Sequence, residues 1–257
     1  MSLFKELYNY REMIYMLVRR EIRGRYKGSV LGFLWTFINP LLQFAVYAIV
    51  FSILMPSNID KFYAYLFIGF IPWFFLSTSI PVGALCIQTQ ASLVQKIYFP
   101  RIILPLSATL TAFVNMLLSE LVVFGVLIFS GIGISIHVLA LPLVMIVQLL
   151  FVLGIVLIIS AVNVYFRDLG HIMDIVTMAW FYATPIVYSP DMLMNTFPLL
   201  LVINPMAGII GSYRDILYYQ RWPQFDSLTV AIVSGVITVV LGTMIFQRLQ
   251  RGFAEEL

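Results

Sequence analysis

The side chains able to do chemistry are few and scattered. Glu120 and Asp174 are acids within or beside long apolar stretches. A charge at the centre of a membrane span costs about 3 kcal/mol on insertion scales, so such a carboxylate must face a partner or water. Glu120 falls near Asn115 and Ser119, and two readings stand for it. It is either a channel-lining or gating carboxylate, or a protonated or hydrogen-bonded contact between helices. Cys86 is the single cysteine, which excludes a disulfide within the chain and a metal cluster held by thiolates. His137 and His171 lack ligand spacing, so each reads as a buried or interfacial histidine with a local partner. The phosphate-cradling pattern Gly-x-x-x-x-Gly-Lys-Ser/Thr is missing, and the dipeptide Gly-Lys never occurs. There is no His-Glu-x-x-His, no Gly-x-Ser-x-Gly and no acid pair at a catalytic spacing. The polypeptide is therefore read as no enzyme, with no catalytic residues, metal site or cofactor of its own.

The cations, by contrast, are concentrated. Residues 19–32 read Arg-Arg-Glu-Ile-Arg-Gly-Arg-Tyr-Lys-Gly-Ser-Val-Leu-Gly, a basic run that ends against a long apolar segment. Such a boundary is the junction of a membrane surface and a membrane core. The 257 residues are 61% hydrophobic and 11% charged, where an average soluble domain carries about 25% charge. So few charges cannot cover a soluble globule, and the expected class is an all-α polytopic membrane protein.

A helix needs about 20 apolar residues to cross the hydrocarbon. Six stretches qualify: Gly32 to Leu54, Phe62 to Cys86, Ile102 to Phe129, His137 to Val164, Ile172 to Tyr188 and Leu228 to Phe246. The fifth is the shortest, with Asp174 near its start. Prolines inside or beside these spans, such as Pro40, Pro72 and Pro81, are tolerated because neighbours re-satisfy the freed carbonyls. Twelve Lys and Arg fall on the side of the N-terminus and three, Lys61, Arg214 and Arg221, on the other, which places both termini in the cytosol. The chain is read as one transmembrane domain, with an interface segment over 1–31, a six-span bundle over 32–246 and a cytosolic tail over 247–257. No cleavable signal peptide is expected, because the first apolar stretch is too long for a signal core.

The segment before the first span is amphipathic. Leu3, Leu7, Ile14, Val18 and Ile22 recur at helical spacing, Lys5, Glu12, Arg19 and Arg23 take the other face, and Arg11 falls within the apolar stripe. Two readings stand here, a membrane-surface anchor and a partner-docking surface. Between spans two and three, 88–101 is polar, long enough for a short helix, and ends Lys-Ile-Tyr-Phe-Pro-Arg, with the proline expected to stop that helix. Between spans five and six, 189–227 contains an apolar stretch from Phe197 to Ile203, broken by Asn204-Pro205, after which a helical pattern resumes. Seven residues cannot span, so short re-entrant or interfacial helices are expected. Aromatic residues make up 15% of the chain and crowd spans two and five, including Tyr63, Trp73, Phe74, Trp180, Phe181 and Tyr182. They suit either an interfacial belt or a stacking lining for a sugar chain.

Three stretches together resemble one family. The first is Arg23-Gly-Arg-Tyr-Lys-Gly-Ser-Val-Leu-Gly-Phe-Leu-Trp35 with Asn39-Pro40. The second is Gly69-Phe-Ile-Pro-Trp-Phe-Phe75 with Lys96-Ile-Tyr-Phe-Pro-Arg101 and Leu104-Pro105. The third is Asn163-Val-Tyr-Phe-Arg-Asp168, Thr184-Pro-Ile-Val-Tyr188, Asn204-Pro205 and Tyr213-Arg214. They resemble the permease subunit of type-2 ABC exporters, in the branch that moves O-antigen, teichoic acid and capsular polysaccharide. The resemblance runs from about Arg19 to Tyr218. It implies a homodimer in the bacterial cytoplasmic membrane, docked to two copies of a separate ATPase that binds ATP and Mg. It implies a coupling helix within 88–101, carrying Gln88, Gln90, Lys96, Tyr98 and Arg101. Asn204, Pro205, Tyr213 and Arg214 would belong to a periplasmic gate. Trp35, Tyr63, Trp73, Phe74, Glu120, Trp180, Phe181 and Tyr182 would line the channel.

The mechanism expected from this resemblance is ATP-driven closure of the ATPase pair, carried by the coupling and N-terminal helices to a bistable bundle. A lipid-linked glycan would come from the inner leaflet, its pyrophosphate meeting Arg23, Arg25, Lys27 and Arg167. Arginine suits phosphate because its planar fork bonds in pairs. The competing reading of that rim is topology and attraction to anionic membrane lipids, about 1 kcal/mol per basic residue. The alternative function is a type-2 ABC permease for a small molecule such as a drug or antibiotic. An ion-coupled carrier is disfavoured by the lack of paired intramembrane charges and internal repeats. A membrane-embedded enzyme is disfavoured by the missing site, and nothing points to nucleic acid.

Overall fold

Main-chain groups in hydrocarbon find no water, so apolar sequence of this length closes its hydrogen bonds within helices. The computed structural model describes residues 3–26, 28, 30–54 and 59–257, and every regular element among them is helical. The order is α1 (Leu3–Asn9), α2 (Arg11–Tyr26), α3 (Trp35–Leu54), α4 (Phe62–Leu85), α5 (Ala91–Lys96), α6 (Ile103–Phe129) and α7 (Leu141–Tyr165). Then follow α8 (Leu169–Ala183), α9 (Pro190–Thr196), α10 (Pro198–Ile203), α11 (Pro205–Leu217), α12 (Phe225–Leu249) and α13 (Phe253–Glu256).

Among the described residues, four helical stretches are long and apolar enough to cross a membrane: Phe62–Leu85, Ile103–Phe129, Ile136–Tyr165 and Phe225–Gly252. α4 is the most buried of these four and α12 the most exposed. α3 has 20 residues, about 30 Å at 1.5 Å per residue. α8 has 15, about 22 Å, short of the ~30 Å hydrocarbon core. The fifth apolar stretch thus ends its helix at Ala183, because Pro185 holds the residue before it in extended backbone and Thr184 has ψ 132°.

Two apolar cores stack along the bundle. The larger joins α4, α6, α7 and α11 through residues such as Phe67, Phe75, Val152, Ile209 and Tyr213. The smaller sits at the end carrying the chain termini. It joins Leu17 of α2, Ile87, Val94, Phe99, Ile103 of α6, Val164 of α7, Phe246 of α12 and Phe253 of α13. The apolar stripe of the N-terminal segment, with Leu7, Met13, Ile14 and Leu17, is therefore spent on this core. Arg11 does not lie in that stripe. Its side chain is exposed, donates to the Tyr8 carbonyl at 3.3 Å and rests over the Tyr8 ring. The short helix after α4 ends at Lys96, four residues before Pro100, because Ile97 turns to extended backbone at φ −127°, ψ 134°.

α7 and α12 pack backbone to backbone at glycines. A Cβ on Gly154 would meet the Thr238 carbonyl carbon at 2.3 Å, and one on Gly242 would meet the Gly154 oxygen at 2.5 Å. Polar side chains inside the bundle are spent largely on main-chain groups of other helices and turns. Gln148, fully buried, donates to the Pro72 carbonyl at 2.7 Å and accepts from the Tyr213 hydroxyl at 2.8 Å. Asn163 donates to the Ala84 carbonyl at 2.8 Å and accepts from the Gly170 N–H at 3.1 Å, which fixes the α4 end to the α7–α8 turn. Asn204 caps α11 by accepting from the Met206 N–H at 3.1 Å. It also accepts from the Trp180 indole at 2.9 Å and donates to Thr184 Oγ1 at 2.9 Å. Arg214, 2% exposed, donates to the carbonyls of Pro185 at 2.5 Å, Ile186 at 2.6 Å and Tyr65 at 3.4 Å. Its guanidinium lies 3.6 Å from the Tyr65 ring centroid, where the π face favours a cation. Gly69 leaves it room, since a Cβ there would stand 2.7 Å from Arg214 Nη2.

Replacing Gly154 with Val should lower stability by about 2 kcal/mol through overpacking. Gly125→Ala, where nothing lies within 4 Å of an added Cβ, should not. Denaturant unfolding of both variants in mixed micelles checks the pair. Arg214→Leu should lose about 3 kcal/mol in the same assay, because buried carbonyls lose charge-assisted donors. Wild-type stability in that variant would refute the clamp.

Candidate functional site

Helical spacing brings aromatic side chains of three helices to one groove. On α4 the contributors are Phe70, Trp73, Phe74 and Ser77, at i, i+3, i+4 and i+7. On α8 they are Thr177, Met178, Phe181 and Tyr182, and on α3 Gln43 and Tyr47. The cavity measures about 220 Å³. Tyr47 packs on Phe70 at 5.2 Å and on Phe181 at 5.4 Å between ring centroids, and Trp73 meets Phe181 edge-on at 5.6 Å. Tyr182 is 61% exposed along the rim. Thr177 Oγ1 is buried without a hydrogen-bond partner. The groove can therefore offer broad apolar faces with a few polar atoms, which suits flat, hydroxyl-edged rings without fixed register.

Of the residues read as channel lining, four meet in this groove: Trp73, Phe74, Phe181 and Tyr182. The others do not. Trp180 turns to the opposite side, bonded to Asn204 and edge-on to Trp73 at 6.2 Å. Tyr63 stands exposed near the start of α4. Trp35 lines a separate cavity of about 80 Å³ with Asn39, Pro40 and Asn115, and Phe74 is common to both cavities. Glu120 also lies away from this groove. It is 2% exposed, faces inward from α6, and neither carboxylate oxygen has a hydrogen bond in the structure. Asp174 is exposed on α8. Tyr47, Phe70 and Thr177 were not singled out as site residues. The i, i+4 pair Gln43–Tyr47 was the available signal for the α3 contribution.

At the termini end, 94–102 form one wall of a cleft of about 690 Å³, opposite Glu6 and Gln247, Gln250 and Arg251. Tyr98 is 96% exposed there and Lys96 is exposed beside it. Gln90 is half-buried. Gln88 reaches inward and donates to the Asn163 carbonyl at 2.9 Å. Arg101 also turns inward, donating to the Gln250 carbonyl and lying over the Phe253 ring. Tyr165 donates to the Leu249 carbonyl at 2.7 Å, so the C-terminal turn is fastened at two points.

The basic rim is divided. Arg19, Arg20 and Arg23 share an open depression with Met16 and Gly24 on the outward face of α2. Arg167 is exposed on a different element, the α7–α8 turn. Lys27 and the Arg25 side chain lie outside the described residues. At the opposite end, Asn204, Tyr213 and Arg214 form the buried clamp described above, with Pro205 opening α11. α9 and α10 leave Phe197, Leu199, Val202 and Ile203 exposed. His137 finds local partners, Ser135 Oγ at 3.0 Å from Nδ1 and the Trp222 ring edge-on at 5.1 Å. Asp215 holds Arg221 at 2.7 Å. Burial, reinforced by the Asp60 carboxylate, raises the pKa of the Tyr218 hydroxyl, which keeps it a donor to the Asp60 carbonyl.

The sequence profile of the family described as ABC-2 type transporter matches residues 12–218. The O-antigen export system permease protein RfbA of Myxococcus xanthus is 37% identical over 257 residues, covering 99% of each chain. Two proteins of the same description from Klebsiella pneumoniae are 31% and 30% identical over 245 residues, covering 95% of this chain and 94% of theirs. The match spans both cores, the groove helices and the 88–101 segment, and on it the chain belongs to the ABC-2 type transporter family, as a multi-pass permease of the bacterial inner membrane.

Proposed function

We propose that this chain is the membrane subunit of an ATP-driven exporter of lipid-linked polysaccharide of the O-antigen type. The observation that carries the reading is end-to-end similarity to O-antigen export permeases, 37% identity over 99% of both chains. The aromatic groove supports it, because its walls suit sugar rings. The working unit is a homodimer with two copies of an ATPase, which supplies ATP and Mg binding. α3 and α8 are the remaining two of six spans, with the termini in the cytosol. α9 and α10 dip into the outer leaflet as a short re-entrant pair.

Each part has a place in the cycle. The ATPase seats against α5 and the exposed Lys96 and Tyr98. The smaller core ties that segment to α2, α6, α7 and α12, so a push at the coupling segment moves these helices together. Packed cores switch between discrete arrangements rather than deform continuously, and this gates the channel. Arg23, with Arg25, Lys27 and Arg167, meets the lipid pyrophosphate at the inner surface. The glycan then passes along Trp73, Phe74, Phe181 and Tyr182, beneath a gate held by the Asn204 and Arg214 clamp.

Loss of this chain should make lipid-linked glycan accumulate inside the cell, and purification through it should recover the ATPase. Recovery of the ATPase without glycan accumulation would point to another cargo. Phe74→Ala with Tyr182→Ala should slow export about tenfold by removing two stacking faces, while ATPase copurification holds. Unchanged export would remove the groove from the route.

A further inference from the structure

Another cavity, apart from the groove and the partner-facing cleft, lies where α2 meets the ends of α4 and α6, largely apolar with a few polar groups in its wall. It measures about 240 Å³. Its apolar walls come from Leu17 on α2, Val82 and Leu85 on α4, and Leu104 and Ala108 on α6. The Glu21 carboxylate and the Ser107 and Thr89 hydroxyls line it, beside the Cys86 thiol and the Gln90 amide. Glu21 Oε2 is buried and has no hydrogen bond, and Ser107 Oγ, on a residue 3% exposed, has none either.

Ser107 is the informative member. On α6 the other described hydroxyls bond back to the carbonyl four residues earlier: Thr109 to Pro105, Thr111 to Ser107 and Ser119 to Asn115, at 2.8 to 2.9 Å. Ser107 donates no such bond, so both its proton and its lone pairs are left, the proton for the Glu21 carboxylate and the oxygen for a ligand. Thr89 donates its proton to the Leu85 carbonyl at 3.0 Å, which leaves its lone pairs available. A buried carboxylate oxygen with no donor is costly, and a charged donor answers it best. A primary ammonium has three N–H donors and no acceptor, matching the three oxygens, and the leucine and valine walls suit a short methylene stem.

We propose that this cavity binds a primary ammonium group on a short methylene stem, as carried by an ethanolamine headgroup or a small soluble amine. Glu21 supplies the charge, and Ser107 and Thr89 accept the remaining N–H groups. Because α2, the 88–90 turn and α6 all contribute, an occupied site would brace the interface helix against the coupling segment.

Native mass spectrometry of the full-length, delipidated chain tests this with defined probes. Phosphatidylethanolamine should be retained about tenfold better than phosphatidylglycerol or phosphatidylcholine of the same chains, since the latter two offer no ammonium N–H. The isosteric Glu21→Gln should erase that preference, and Ser107→Ala should weaken it. Competition by free ethanolamine, with no preference among the lipids, would uphold the ammonium site and assign it to a soluble amine. Equal retention of the three lipids with no effect of ethanolamine overturns the proposal, and means that water or the neighbouring Gln90 amide satisfies Glu21. The lipid comparison on the wild-type chain needs no variant, so a misfolded Glu21→Gln does not rescue a failed result.

Discussion

Everything in this bundle answers to one constraint: a main-chain carbonyl released inside hydrocarbon must find a donor in the protein. The sequence releases several, at the end of α4 and at the Thr184-Pro185 break after α8. Each release is met by one buried polar side chain from a distant helix. Asn163 takes Ala84 and Arg214 takes Pro185 and Ile186, while Gln148 adds a bond to the Pro72 carbonyl inside α4. The polar residues inside the bundle are thus largely structural acceptor-matchers, and their positions decide which helices touch. Arg214 also shows why a buried cation is tolerated without a carboxylate: carbonyl dipoles and the Tyr65 face replace its water.

This constraint also separates what moves from what holds. At the end opposite the termini, Asn204 and Arg214 bind α8 to α11 and α4 through bonds that cannot slip by a residue without orphaning a carbonyl. At the termini end, the contacts among α2, 88–101 and the C-terminal turn are mainly apolar, with Arg101 and Tyr165 as local fasteners. An apolar interface can slide and repack at little cost, whereas a polar clamp has one register. A device that takes an input at one end and gates at the other gains from this asymmetry.

Length and periodicity made the long spans legible, and turn chemistry made the short ones so. Ser189-Pro190, Phe197-Pro198 and Asn204-Pro205 each place proline at the first turn of a helix, where its missing N–H is no loss. What could not be read was direction. Glu120 and Arg214 are both ionisable residues in apolar sequence, and spacing alone does not say whether such a group faces a channel or a carbonyl 28 residues away. The aromatic crowd was visible as composition, but its division between groove and clamp depends on rotations of α4 and α8. Those rotations are set by long-range partners such as Asn204 for Trp180.

The same reasoning bears on the unbonded atoms. A fold that matches carbonyls so consistently leaves its exceptions in view: Glu21, Ser107, Asn115, Glu120 and Thr177. Four of the five line cavities, among them Thr177 in the aromatic groove and Glu21 and Ser107 at the α2 junction. Asn115 lines the small cavity beneath Trp35. Glu120 stands apart, buried and lining none of these cavities. In a chain that spends polar atoms this tightly, a buried acceptor opening on empty volume is a place for something that arrives from outside. That condition holds for the groove and for the α2 junction, where two such oxygens share one cavity, and ligand chemistry is assigned to both.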